Sequence, residues 1–246
     1  MLNAEGGSRP LVSLATSISV SDSIDVSVVV PFYNEQAEMP ALLAHLRHWQ
    51  SRGCEILLVD GGSQDDSAHI AQQHGFKVIQ SDKGRALQMN AGAQQASGKV
   101  LVFLHADSRL PTDADQQILQ AIEQQYYRWG RFNLTIDGQA KMFPVISWLI
   151  NQRSRLTSVA TGDQAIFVRR DEFLRLGGYP QQPLMEDVEL CLRLKQYSRP
   201  ACLTSRVSTS GRRWQQQGVW RTIFLMWRLR WLYWRGVSAT TLAEYY

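Results

Sequence analysis

Cysteine is scarce in this chain, and long apolar runs are missing. The 246 residues include three cysteines, Cys54, Cys191 and Cys202, which lie far apart and form no CxxC pair. This spacing argues against a zinc site and fits a protein of a reducing compartment. No apolar run approaches the length of about 18 residues that a transmembrane helix requires. We therefore expect a cytoplasmic protein.

The N-terminal segment lacks the features of a secretory signal peptide. It contains no basic region followed by a long apolar region, and it is rich in serine, glycine and alanine. We expect residues 1–24 to form a flexible leader, with the folded protein beginning at residue 25.

Acidic residues are absent from most of the C-terminal segment. Between Leu190 and Leu242 there is no Asp or Glu, whereas ten residues are Lys or Arg, and the whole chain has a net charge of +4. A basic segment suggests an anionic partner, such as a membrane surface, a phosphorylated ligand or a nucleic acid. Because the arginines alternate with many large apolar residues, we expect no nucleic-acid partner.

Short apolar runs alternate with helical periodicity in the first half of the chain. Four strands are predicted, with helices over residues 39–50, 65–73 and 85–95 between them: Val26–Val30, Glu55–Val59, Lys77–Gln80 and Val100–Leu104. This alternation predicts a parallel sheet with right-handed crossovers, which binds ligands at the carboxyl ends of its strands. Asn34, Asp60 and Asp107 follow strand ends and are therefore candidate site residues.

The second half of the chain has a less regular pattern. Strands are predicted over residues 129–136 and 164–168, and helices over residues 112–125, 142–154, 170–176 and 187–197. A last helix over residues 219–237 places four tryptophans on one face, namely Trp220, Trp227, Trp231 and Trp234. Contact with a membrane surface and packing in a homodimer are both open for this face.

Several motifs carry side chains with useful chemistry. Asp107, in the sequence HAD, could bind a hard cation that neutralises a diphosphate. His105 could ligate Mn²⁺ or form a hydrogen bond nearby. Glu186 and Asp187 open a helix, either as helix-terminal charges or with Asp187 as a general base. Asp60 either holds a turn or accepts hydrogen bonds from a nucleobase.

Two basic motifs suit a phosphate-bearing ligand. Lys83 and Arg85 flank Gly84 at the start of a predicted helix, where backbone N–H groups and cations favour phosphate. Arg212, Arg213 and Trp214 could clamp a phosphate and stack on a sugar or base. An exposed basic surface is the alternative for both.

The order and spacing of the motifs resemble those of family 2 glycosyltransferases, in particular a subgroup found near arsenosugar biosynthesis genes. The resemblance runs from Val26 to Tyr246 and rests on these segments: VVVPFYNE, VDGGSQDDS, KGRALQMNAGA, VLVFLHAD, GDQAIFVRR, GGYPQQPLMEDVELCLRL and GRRW. It implies an α/β GT-A fold, with a Rossmann-like, mostly parallel central sheet flanked by helices over residues 25–218. A helical C-terminal extension over residues 219–246 follows.

The resemblance also implies roles for individual residues on the donor side. The nucleotide pocket would be lined by Pro31, Asn34, Glu35, Asp60 and Gly61, with Asp60 at the base, usually uracil. The ribose and diphosphate would meet Lys83, Arg85, Asn90, Arg212, Arg213 and Trp214. Asp107 would bind Mn²⁺ or Mg²⁺ as the last residue of a DxD motif, with His105 in place of the first Asp.

On the acceptor side, the resemblance implies a single displacement with inversion at the anomeric carbon. Asp187 would be the catalytic base, supported by Glu186, and the acceptor site would be bordered by Gly162, Asp163 and Gln164. The expected function is transfer of a sugar from a nucleotide-sugar, UDP-linked in most members, to a small-molecule or lipid acceptor. A nucleotidyltransferase and a non-catalytic nucleotide-sugar binding module are the alternatives.

Overall fold

The computed structural model of the chain describes residues 24–245, except the side chains of Arg213, Gln216 and Gln217. The leader predicted over residues 1–24 lies outside the described residues apart from Ile24. Within the described part, eight strands form one sheet in the order β3-β2-β1-β4-β7-β6-β8-β5. The strands are β1 (Val26–Phe32), β2 (Glu55–Asp60), β3 (Lys77–Gln80), β4 (Val100–Phe103), β5 (Ser108–Arg109), β6 (Trp129–Asp137), β7 (Phe167–Arg169) and β8 (Ala201–Ser210).

Helices flank this sheet. They are α1 (Met39–Ser51), α2 (Ser67–Gln73), α3 (Arg85–Gln95), α4 (Ala114–Leu119), α5 (Phe143–Thr157), α6 (Arg170–Arg175), α7 (Glu186–Leu194), α8 (Arg212–Gln217), α9 (Val219–Trp234) and α10 (Ala239–Ala243). A π-helical turn, Gln120–Gln124, continues α4, and a 3₁₀ turn, Gly162–Gln164, precedes β7.

The predicted parallel half of the sheet is confirmed. Strands β3, β2, β1 and β4 run parallel, and Phe32 pairs with Asp60 at the carboxyl ends of β1 and β2. Alternate residues of β1 face opposite layers: Val28 packs in the α1 layer, whereas Val29 packs in the α3 layer. Both faces are therefore buried, which explains why these strands read as continuous apolar runs.

Helix α3 lies very close to the sheet. A Cβ atom on Gly92 would come within 2.4 Å of Val29 Cγ1, so this contact requires glycine. The close approach positions the N-terminus of α3, which carries Arg85, beside the carboxyl ends of β1 and β2.

The second half of the sheet is mixed and differs from the prediction at β7, at β8 and at the two-residue strand β5, which pairs antiparallel with β8 and is not predicted from the sequence. Strand β7 begins at Phe167 and runs antiparallel to both β4 and β6, while the predicted strand residue Gln164 lies in the 3₁₀ turn. Strand β8, parallel to β6, is not predicted from the sequence. Its sequence ACLTSRVSTS is mostly polar because its buried side chains are few: Ala201, Val207 and Thr209.

The predicted C-terminal helix is confirmed as α9, and α10 follows it. Leu229 of α9 is buried against Leu184, Met185 and Leu242, so its aliphatic face packs on the rest of the protein. The tryptophans of the opposite face are exposed. None of the helices within residues 24–245 combines the length and apolar character needed to cross a membrane.

Candidate active site

The loops after β1 and β2 are tied together by side chains. The Asn34 backbone N–H donates to Ser63 Oγ at 3.0 Å, and Asn34 Oδ1 accepts from the Gln64 N–H at 2.8 Å. Buried Asp60 accepts at Oδ1 from the N–H and the hydroxyl of Ser63, at 2.9 and 2.6 Å. Asp60 therefore holds the turn after β2. Pro31 lies near the carboxyl end of β1, where it pairs with Val59 of β2.

Gln88 of α3 joins the two strand ends and was not foreseen from the sequence. Its buried Nε2 donates to the carbonyls of Phe32 and Val59, at 2.8 and 2.9 Å. A Cβ on Gly61 would come within 3.0 Å of this amide, so Gly61 allows the close approach. The one feature of the sequence that could indicate this role is that Gln88 is a polar residue on the buried side of α3, beside Ala86 and Met89.

Arg85 is the centre of a cluster of acidic side chains. Its Nη1 lies 3.3 Å from Glu186 Oε1. Burial lowers the pKa of Arg85, but nearby carboxylates outweigh that effect and leave the pKa raised: Glu186, Asp163, Asp187 and Asp107. The structure thus brings together predicted site residues that are separated by up to about a hundred positions in sequence.

Two of these carboxylates begin helix α7. Glu186 is buried, and burial together with neighbouring Asp187 raises its pKa, while Arg85 opposes the rise. Asp187 accepts the Gly162 N–H at Oδ2, at 2.9 Å, and the Val188 N–H at Oδ1, at 2.7 Å. These two bonds fix the orientation of the Asp187 carboxylate against the 3₁₀ turn.

Asp107 and Asp163 line a central cavity of about 450 Å³, together with Arg85 and His105. Asp107 Oδ1 lies 3.3 Å from the Ser108 hydroxyl and 3.5 Å from that of Thr209. His105 Nδ1 lies 3.0 Å from Asp163 Oδ1, whereas a Cβ on Gly162 would fall 2.4 Å from His105 Nε2. Both ring nitrogens therefore lie close to the 3₁₀ turn, and His105 Nε2 is buried without a hydrogen-bond partner among the described residues.

The donor set of the central cavity suits a hard divalent cation that is shared with a ligand. Across residues 24–245, no three His, Cys, Asp or Glu side chains converge as a complete metal site. Mg²⁺ and similar cations are commonly held by one or two carboxylates, with phosphate oxygens and water completing the shell. Asp107 fits that arrangement, and His105, which lines the same cavity, stays a predicted second ligand.

Two residues expected at the ligand have their side-chain amides engaged within the protein. Asn90 donates to the Tyr179 carbonyl at 2.8 Å and accepts the Tyr179 N–H at 2.9 Å. Gln164 is completely buried and donates to Ser154 Oγ at 3.0 Å. Both amides therefore hold the loops around the site, and the expected places of Asn90 at the ribose and diphosphate and of Gln164 at the border of the acceptor site stay predictions.

Arg212 links α8 to the loop after β1. Its guanidinium lies 2.8 Å from Glu38 Oε1 and 3.6 Å from Glu35 Oε2. Burial raises the pKa of Glu35, and Arg212 partly offsets this rise. Lys83 Nζ lies over the ring of Tyr33, 4.0 Å from its centroid.

Arg213 and Trp214 follow Arg212 in the basic motif. Trp214 is half-buried, packs beside Phe143 and lines the central cavity. The side chain of Arg213 lies outside the described part of the structure.

Helices α5 and α9 contribute further residues to the central cavity, and the sequence does not predict them. Arg153 of α5 and Arg230 of α9 line the central cavity, whose apolar wall includes Ile146, Ile150 and Met226. The two helices are far apart in sequence, and only the fold brings them together.

Comparison with protein families identifies one domain. The family described as Glycosyl transferase family 2 matches residues 27–175. An uncharacterized glycosyltransferase from Haemophilus influenzae is 28% identical over 70% of the chain. An undecaprenyl-phosphate 4-deoxy-4-formamido-L-arabinose transferase from Pseudomonas savastanoi is 35% identical over 58%. The matched segments span 62% and 46% of these two proteins, so the chain covers about half the length of these relatives.

Solved structures with a similar fold include two nucleotide-sugar complexes. S. aureus TarS 1-349 with UDP-GlcNAc has a TM-score of 0.61 and 17% identity, covering 76% of this chain and 58% of TarS. The mannosyltransferase PcManGT of Pyrobaculum calidifontis, in complex with GDP-Man and Mn²⁺, has a TM-score of 0.60 and 16% identity. The match covers 83% of this chain and 60% of PcManGT. At these identities the similarity concerns the fold, a mixed α/β sheet flanked by helices.

Proposed function

This chain belongs to glycosyl transferase family 2, and on that premise we propose that it is a transferase that moves a sugar from a nucleotide-sugar to a hydroxyl group of an acceptor. The observation that carries the proposal is the convergence of Glu186, Asp187 and Asp107 around Arg85, beside the central cavity. Carboxylates at that place can supply a general base and a cation ligand.

We place the donor nucleotide at the carboxyl ends of β1 and β2. Buried Asp60 and the closely packed turn at Gly61 would receive the base, with Asn34 and Glu35 beside it. The donor is proposed to be a UDP-sugar. TarS was solved with UDP-GlcNAc and PcManGT with GDP-Man, which supports a nucleoside-diphosphate donor, and the choice of uridine rests on the family resemblance.

Mn²⁺ or Mg²⁺ is proposed as the cofactor, held by Asp107 together with the donor diphosphate. When bound, such a cation neutralises negative charge on the leaving diphosphate. Arg212 would contact the donor diphosphate after its ion pairs with Glu35 and Glu38 break. Arg213 would contact the same diphosphate. Mn²⁺ in the PcManGT complex supports a divalent ion.

The proposed reaction is a single displacement. Asp187 accepts the proton of the acceptor hydroxyl, and the oxygen forms a bond to the anomeric carbon. The bond between that carbon and the diphosphate oxygen breaks, and the nucleoside diphosphate leaves with the electron pair. The two backbone N–H groups on Asp187 hold its carboxylate in one orientation, so that it needs little rearrangement before proton transfer.

Replacing Asp187 tests this mechanism. Asp187→Asn cannot accept the proton, so release of nucleoside diphosphate from a nucleotide-sugar with Mn²⁺ should fall about 100-fold or more. Binding of UDP, measured by calorimetry, should persist. Asp113→Asn, at an exposed carboxylate before α4, serves as the matched control and should keep wild-type turnover. Turnover close to wild type in Asp187→Asn would refute the assignment.

A non-catalytic binding module is the second candidate, since no three His, Cys, Asp or Glu side chains within residues 24–245 converge as a complete metal site. It predicts nucleotide-sugar binding without any release of nucleoside diphosphate by the wild-type protein. Family membership disfavours the nucleotidyltransferase alternative.

We further propose that the exposed aromatic face of α9 contacts a membrane surface and that the acceptor is a lipid. Trp220, Phe224, Trp227, Trp231 and Trp234 are each more than half exposed. The basic residues of the C-terminal segment would face anionic headgroups. Relatives named as undecaprenyl-phosphate transferases support a lipid acceptor over a small soluble molecule.

A further inference from the structure

Arg153 is a half-buried cation, and two of its nitrogen atoms are not hydrogen-bonded by the protein. Its Nε and Nη2 atoms are buried and have no hydrogen-bond partner among the described residues. Burial lowers the pKa of Arg153, and Asp187 and Asp163 are near enough to counteract part of this. Because buried polar groups in native proteins are almost always hydrogen-bonded, these donors require an explanation.

A second guanidinium faces the same space. Arg153, from α5, and Arg230, from α9, both line the central cavity and also two adjoining clefts. Arg230 is half-buried. Two guanidinium groups that converge from separate helices offer several N–H donors in fixed planes, an arrangement that matches the oxygens of a phosphate.

The surroundings of the arginine pair are polar at one end and apolar at the other. The central cavity leads from the pair towards Asp163 and Asp107. On the outer side, a cleft of about 620 Å³ is lined by the pair and by exposed aromatic residues of α9, Phe224, Trp227 and Trp231. An amphiphile could thus place its anionic group at the arginines and its apolar chain along the aromatic side chains.

We propose that Arg153 and Arg230 bind the phosphate of an amphiphilic acceptor, whose apolar chain lies in the cleft between α5 and α9. This inference rests on the proposed transferase function, and it deepens that function by giving the acceptor's chemical class and its binding residues. Asp187 is one of the charges that raise the pKa of Arg153, so the bound anionic group would lie on the side of the cavity near the proposed base. Ligand binding also explains why the buried Nε and Nη2 atoms of Arg153 have no hydrogen-bond partner within the described part of the protein.

The experiment uses octyl phosphate as the probe, below its micellar concentration, with octanol and inorganic phosphate as separate arms. Binding is measured by calorimetry to the wild-type chain, Arg153→Gln and Arg230→Gln. Arg155→Gln is the matched control, since Arg155 lies on the same helix but is exposed and does not line the cavities. UDP binding with Mn²⁺ is measured on the same proteins.

Octyl phosphate should bind the wild type more tightly than either octanol or inorganic phosphate. Its affinity should fall about tenfold or more in Arg153→Gln and in Arg230→Gln, as expected for a lost charge-assisted hydrogen bond, and stay unchanged in Arg155→Gln. The melting temperature of Arg153→Gln should not fall, because the substitution removes a buried charge that lacks a hydrogen-bond partner. A structural arginine would instead lower that temperature, and Arg230→Gln tests the proposal should Arg153→Gln fail to fold.

Wild-type affinity for octyl phosphate in both glutamine variants would overturn the proposal. Inorganic phosphate binding as tightly as octyl phosphate would overturn its amphiphilic part. Loss of UDP binding in Arg153→Gln would assign this residue to the donor diphosphate and also overturn it. If the wild type never releases nucleoside diphosphate, the transferase function fails, whereas the octyl phosphate measurements still decide the anion site.

Discussion

Glu186 is a buried carboxyl group that lies between a cation, Arg85, and a second acid, Asp187. Burial is the largest cause of its raised pKa, Asp187 adds to the rise, and Arg85 opposes it. A pKa that is higher in the folded than in the unfolded chain means that folding favours the protonated form. The stabilising contribution of Glu186 is therefore complete at acidic pH and is lost as the pH rises through the raised pKa.

The variant Glu186→Gln should reveal this pH dependence. Gln keeps the size of the protonated acid but does not ionise, so the variant should gain stability relative to wild type as the pH rises from about 4 to 7. Urea unfolding across that range measures the difference in the free energy of unfolding. Glu123→Gln, at an exposed glutamate, should show no such trend. If Glu186→Gln instead loses stability with rising pH, the ion pair with Arg85 outweighs the cost of burial.

The sequence predicts the chemical type of the site residues better than the direction of their side chains. Asp107 and Asp187 occur at a strand end and a helix start, which are positions that periodicity can locate. Asn90 and Gln164 lie in equally suggestive motifs, but their amides are bound by Tyr179 and by Ser154. Those partners are distant in sequence or lie on another element, so no local pattern reveals them.

At the scale of secondary-structure elements, helix α8 is fastened to the loop after β1 by the ion pairs of Arg212 with Glu35 and Glu38. The same guanidinium is proposed to contact the donor diphosphate, so acids and ligand compete for it. When the nucleotide binds, Arg212 of α8 would then exchange its ion pairs with Glu35 and Glu38 for contacts with the diphosphate.

Glu38→Gln should therefore strengthen nucleotide binding. A partly exposed ion pair contributes about 0–1 kcal/mol, so UDP affinity should rise by up to about fivefold, whereas Arg212→Gln should lower it. Calorimetry with UDP and Mn²⁺ measures both effects. Asp115→Asn, which removes the partner of Arg52 at another ion pair, should leave the affinity unchanged. Weaker UDP binding in Glu38→Gln would contradict the competition and indicate that the pair preorganises the pocket.

The parallel half of the sheet is predictable from sequence because its strands are buried on both faces and are short apolar runs. Strand β8 is not, because most of its side chains are polar and its place is fixed by backbone pairing with β6. The site depends on both halves: Asp107 follows β4, whereas Thr209, beside it, lies on β8. Pairing between distant strands is the information that a local pattern lacks.

In the whole molecule, the C-terminal helix takes part in the candidate site. The proposed division assigns residues 25–218 to the GT-A domain and residues 219–246 to an extension. Thr222, Ile223, Met226 and Arg230 of α9 nevertheless line the central cavity together with Asp107. Binding of the exposed face of α9 to a membrane would thus bring the central cavity close to lipid.

The exposed aromatic face of α9 is expected to bind a membrane surface. Trp227 and Trp231 are more than half exposed, while Leu229 between them is buried, so the exposed sides of the two rings can contact a lipid interface. The wild-type chain should sediment with vesicles of phosphatidylcholine and phosphatidylglycerol, and less with phosphatidylcholine alone or at high salt, because its arginines attract anionic headgroups. The double variant Trp227→Ser and Trp231→Ser should lose most of this binding without unfolding.

Tyr126→Ser is the control, because Tyr126 is an aromatic residue that is 85% exposed outside α9. It should sediment like the wild type. If the wild type does not sediment with anionic vesicles, the membrane contact is excluded. A dimer that appears with increasing protein concentration in gel filtration, and that the double Trp variant abolishes, would then assign the aromatic face to the alternative, contact between two copies of the chain.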